Sequence, residues 1–245
     1  MASGTSFSGY VLSEVNDLHM YLGTSAAAPI RMTGDRSRSA VIDELHVAGS
    51  GSLSNISAYQ IKSSELRLGS GIDSVNVRDY MDNTEIVTGR LGVLTTTRDV
   101  HNADWRVTGP VGSVRIGGTW RGTAMLAAEG PNGQIGSFST KQMWGTLLSS
   151  NDINEIRITG DIGSGGAFNE DGERLSAGID VGRNLGLLQV DGSVLDGTTI
   201  YVDNRLEKMI VGGDIQEDAR VDMRFLGDLD ITGELNGDFI VRSEQ

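Results

Sequence analysis

Apolar residues recur along this chain in a fixed asymmetric spacing. One apolar position is followed by others three, five and nine residues later, with Thr or Ala sometimes taking the third place. Nine copies begin at Leu53, Ile72, Leu91, Val111, Ile135, Ile153, Leu185, Leu206 and Leu226. The intervals between them are 19, 19, 20, 24, 18, 32, 21 and 20 residues, a working period of about twenty. Inside each copy the two members that stand two apart, such as Val75 and Val77 or Ile156 and Ile158, have the alternation of a β-strand with one face inward. The last member is Met81, Val100, Trp120, Trp144, Ile162, Val194, Ile215 or Leu235, and the first copy departs from the pattern there, with Lys62.

A second strand family falls between the copies at the same period. Its inward pairs are expected at Leu45/Val47, Leu66/Leu68, Ile86/Thr88, Trp105/Val107, Met125/Ala127, Ile179/Val181, Ile200/Val202, Val221/Met223 and Phe239/Val241. A unit of about twenty residues with two or three short strands cannot bury its apolar face alone and must stack on copies of itself. The expected fold is all-β: a right-handed, single-stranded parallel β-helix (β-solenoid) of about nine coils of about 20 residues. The competing fold is an antiparallel barrel or sandwich, which calls for two-residue turns between equal strands. Here Asn132-Gly133 and Asn236-Gly237 are not periodic, and one asymmetric unit repeats in a single direction. Right-handed coiling is favoured because the strict six-residue period of left-handed solenoids is missing. Gly92, Gly112, Gly136, Gly186 and Gly227 each follow the first apolar residue of a copy, which places a bend there.

An open solenoid end exposes unpaired strand edges, so a cap is expected. Residues 1–40 are assigned as an N-terminal cap segment. Val11, Val15, Leu18 and Leu22 have helical spacing, while Leu18, Met20 and Leu22 fit a strand equally well. Residues 41–245 form the β-helix domain, and the 32-residue interval places a loop insertion at 163–176. Insertions in solenoids collect on one face and often carry binding.

Charge narrows the partners. A net −13 with pI near 4.6 excludes the broad basic surface that nucleic acid requires. No apolar run reaches the length of a transmembrane segment, and the first thirty residues lack the basic start and apolar run of a secretory signal. Cysteine is absent, which removes disulfides and thiolate metal sites.

Candidate chemistry is sparse. Asn169, Asp171 and Glu173 alternate oxygen ligands beside Gly172, an echo of loops that wrap Ca²⁺, against which stands a plain solvated acidic turn. No other cofactor is implied. Asp161, Asp214 and Glu234 hold one place in their coils, with Asp99 further up, and stacked carboxylates are the raw material of glycoside hydrolysis. The ordinary account is a solvent-facing residue beside an inward one. Trp120 and Trp144 share an offset and are expected to stack in the core. There is no P-loop, dinucleotide fingerprint, zinc-protease helix or nucleophile elbow, so no catalytic residue is assigned and the reading leans away from an enzyme.

The copies around Ile158-Thr159-Gly160-Asp161-Ile162 and Val211-Gly212-Gly213-Asp214-Ile215 resemble the Gly-Asp-Ile coils of bacterial parallel β-helix repeat proteins, large exported or surface-attached chains. The chain is also similar in spirit to the bactofilins, cytoskeletal β-helices that polymerise end to end. The resemblance implies a structural or adhesive module, extracellular or at the cell surface, whose partners are further copies or other surface proteins. The alternative is a β-helix that binds or cleaves an uncharged or basic glycan along its side.

Overall fold

The structure, a computed structural model, describes residues 15–23, 27–28, 41–126, 133–163 and 177–242. Every regular element among them is a strand, nineteen in all, and every strand pairing is parallel. The chain is a parallel β-solenoid of about nine turns. At about 4.8 Å per coil the rod is on the order of 40 to 45 Å long.

Three ladders run along it. The first joins the copies read from the sequence: Leu53, Ile72, Leu91, Val111, Ile135, Ile153, Leu185, Leu206 and Leu226 stand one above the next in unbroken register. The second joins the strand family between them. The third contributes one inward residue per coil and runs Ile42, Ile61, Met81, Val100, Trp120, Met143, Ile162, Val194, Ile215, Leu235. The inward residues of all three make one continuous core from Leu22 to Met223.

Two coils turn the corner into the third ladder one residue early, and both displace a residue from its expected place. Ile61, not Lys62, is the core member of the first copy; Met143, not Trp144, pairs with Trp120. Trp120 and Trp144 therefore do not stack. Trp120 packs instead against Trp105 at 4.9 Å between ring centroids and edge-on to Phe138 at 6.0 Å. In the second ladder the inward pair after Trp105/Val107 is Ala124/Leu126, one residue before the expected frame, whose Ala127 lies outside the described residues; the next rung, Leu147/Ser149, has no counterpart among the expected pairs.

The frame change at Ala124 has a visible cause. Asp17, Glu44, Ser63, Asn83 and Asn102 all have left-handed backbone, with φ of 54°, 54°, 44°, 49° and 47°. They fall at the same bend of five successive coils, between partners such as Asp43–Lys62 and His46–Glu65. The next coil omits that residue, and the register shifts between Val100 and Ala103. Asn and Asp adopt this conformation most readily of the non-glycine residues.

Val15–Leu22 is a strand in register with Val41–Gly49, so the alternating reading of Leu18, Met20 and Leu22 describes this stretch. Most of the 1–40 segment lies outside the described residues. The five glycines that follow the first member of a copy, Gly92, Gly112, Gly136, Gly186 and Gly227, do not have positive φ. At Gly112 the need is close approach, because a Cβ would collide with the Gly92 carbonyl oxygen of the coil before.

Candidate functional site

The stacked carboxylates do structural work. Asp99 Oδ1 accepts the backbone N–H of Thr119 at 2.6 Å, Asp161 Oδ1 that of Ser193 at 2.8 Å, and Asp214 Oδ1 that of Glu234 at 2.7 Å. Between them, Ser193 Oγ accepts the N–H of Asp214 at 3.0 Å. Each side chain thus latches one coil to the next at the corner before the third ladder. The glycine that precedes each latched N–H makes room: a Cβ on Gly118, Gly192 or Gly233 would collide with the carboxylate of the preceding coil, and one on Gly213 with Ser193 Oγ. In the two Gly-Asp-Ile copies the Asp is therefore an inter-coil device: Asp161 and Asp214 reach an amide of the next coil, past Gly192 and Gly233, while Ile162 and Ile215 enter the core. Glu234 follows in the same column, and its carboxylate accepts Asn236 Nδ2 within its own coil, at 3.3 Å.

Outside this column the charges gather in two places. Glu65, Glu85 and Asp104 stack on adjacent rungs and line a groove of about 250 Å³ with Ser63, Asn83 and Asn102. Arg67 pairs with both glutamates, His46 sits 3.4 Å from Glu65, and Arg106 lies 3.1 Å from Asp104, which offsets the like-charge stacking. Among the described residues no His, Cys, Asp and Glu group is arranged to hold a metal ion. Asn169, Asp171 and Glu173 lie outside the described residues.

The second gathering ties down the final coil. Arg242 lies over the Tyr201 ring at 4.8 Å and donates to the Tyr201 hydroxyl and the Val202 carbonyl, two coils back. Its Nε is 2.7 Å from the Asp222 carboxylate, an ion pair without hydrogen-bond alignment, and Arg220 donates to the other Asp222 oxygen at 2.9 Å. Nearby, burial and then the charge of Asp203 raise the Asp180 carboxyl above its ordinary value.

The inward ladders reach solvent at this end. Leu229, Leu235 and Val241 are 40%, 47% and 47% exposed, whereas their partners Met209, Ile215 and Met223 are fully buried. On the side of the rod, Trp144 is half-buried, with the Arg121 guanidinium 4.0 Å from its ring centroid. Sequence spacing assigned Trp144 to the core because a one-residue shortening of a corner leaves no trace in composition.

Comparison with known proteins finds no matching family model, no matching curated protein and no matching solved structure. No helix among the described residues is long and apolar enough to cross a membrane.

Proposed function

We propose that this chain is a non-enzymatic structural or adhesive β-solenoid module, acting outside the cell through its rod shape and through contacts at its ends or sides. The observation that carries this reading is the last described coil. Arg242 ties it to the two coils before it, and its Leu229, Leu235 and Val241 are exposed. Exposed apolar strand residues are a surface on which another layer of β-structure can dock. The candidate acids further support a scaffold, since Asp99, Asp161 and Asp214 are occupied with backbone amides. The resemblance to exported and surface-attached repeat proteins supports the location.

Static light scattering of the 245-residue chain across a concentration series tests it. Mass that grows with concentration, and reverts to monomer in the Leu229→Asp/Leu235→Asp variant, is the expected result. A monomer at every concentration sinks the end contact between copies. Both leucines are already exposed, so the variant keeps its core.

A further inference from the structure

The chain's charge is unevenly spread. Between residues 111 and 151 there are three cations, Arg115, Arg121 and Lys141, and one acid, Glu129, a net of +2. The rest of the chain therefore carries −13 − 2 = −15. Two middle coils of an acidic rod form a locally cationic belt. At physiological ionic strength the screening length is about 8 Å, so the acidic coils beyond the adjacent rungs contribute little to the potential there.

On the outer face of the first ladder this belt is shaped into a notch. Arg115, Ser139 and Arg157 face one another on three successive rungs. The two guanidinium-bearing rungs are thus about 10 Å apart, with a short hydroxyl side chain between them. Ser137 leaves a second gap beside Ser139, and the hollow, lined by Arg115, Ser137, Phe138, Ser139, Glu155 and Arg157, measures about 170 Å³. Lys141 is exposed two residues beyond Ser139, at the corner between the inward residues Thr140 and Met143 and next to the hollow. Arg157 is fixed by the Glu155 carboxylate and by Gln189 Oε1 at 3.2 Å. Arg115 and Lys141 have no carboxylate partner among the described residues. The residues that line the notch carry two cations, Arg115 and Arg157, against one acid, Glu155, a net of +1, and Lys141 at the neighbouring corner adds a third cation outside it.

From this we infer that the notch binds an acidic polysaccharide through its carboxylate or sulfate groups. Arg115 and Lys141 supply charge-assisted hydrogen bonds, Arg157 a pre-positioned fork, and the serine hydroxyls neutral donors. A chain rather than a lone ion fits because the cations are spread over three rungs of an open face. Ser113 and Thr95 continue that face with small side chains on the preceding coils, leaving space for sugar rings to lie along the rod.

Isothermal titration calorimetry on the full chain tests this with four probes: a heparin-derived hexasaccharide, an oligogalacturonate of similar length, a neutral cello-oligosaccharide and inorganic sulfate. Binding of an acidic oligosaccharide but not the neutral one is expected. The Arg115→Gln/Lys141→Gln variant should weaken it by about tenfold or more. The Arg78→Gln/Arg183→Gln variant removes two similarly unpaired cations from other coils and should leave it unchanged. Absence of binding by both acidic oligosaccharides, or equal loss in the two variants, overturns the site. Sulfate binding as tightly as the hexasaccharide reduces it to a free-oxyanion site and overturns the polysaccharide assignment. All four substitutions are on the surface of strands or corners, and circular dichroism confirms that each variant is folded.

Discussion

The early and late coils of this solenoid share one core but are held in register by different devices. From Asp17 to Asn102 the chain bends with a left-handed residue in each coil, a strain that each coil carries within its own backbone. At Asp99 and again from Asp161 to Glu234 the coils are joined at the preceding corner by side-chain latches, in each of which one coil's carboxylate or hydroxyl accepts a hydrogen bond from the next coil's amide. The first device fixes a local shape, and stacking propagates it. The second is itself an inter-coil bond, which makes every late coil depend on its neighbour's side chain and on the glycine that admits it.

Breaking the latch should give the largest effect. Gly213→Ala forces a Cβ into Ser193 Oγ and is expected to cost about 2 to 3 kcal/mol. Ser193→Ala alone, which leaves the Asp214 amide without its acceptor, should cost about 1 kcal/mol. The double variant should cost less than the sum, because the colliding oxygen is gone; urea unfolding of the four chains measures this, and strict additivity would refute the latch geometry.

In the early coils the strain can be relieved instead. Glu44→Gly and Ser63→Gly replace exposed left-handed residues with one that has no Cβ penalty, and each should stabilise the chain by about 0.5 to 1 kcal/mol. A rise in melting temperature is the expected reading; a fall would mean that the side chain matters more than the φ angle.

The smallest effect separates the late carboxylates from one another. Asp180 accepts no latching amide, and burial together with Asp203 raises its folded pKa above its ordinary value. A group shifted this way favours the fold while protonated, and that contribution is lost as pH rises through the folded pKa. Asp180→Asn should therefore stabilise the chain slightly at neutral pH and not below the ordinary aspartate range. Equal effects at pH 3 and pH 7 would rule this out.

Much of this architecture was legible in the sequence. All nine copies of the first ladder align as their spacing predicts, because a residue either enters the common core or does not, and a period of about twenty leaves one way to stack them. The errors cluster where a corner lost one residue, at Lys62, Trp144 and Met125. The candidate acids were seen in the right column, yet their role was hidden, since the amides they bind are 20 to 32 residues away. The notch was missed altogether, because Arg115, Ser139 and Arg157 share no motif.

Hydrophobic period alone therefore determined the all-β class, the number of coils and the inward face, because burial is counted residue by residue along the chain. Tertiary stacking decided the rest: which residue turned each corner, that Trp144 faces Arg121 rather than the core, and that the Gly-Asp-Ile acids are latches. These depend on distances between coils, and a one-residue slip at a corner reverses which way a side chain points without altering the repeat that surrounds it.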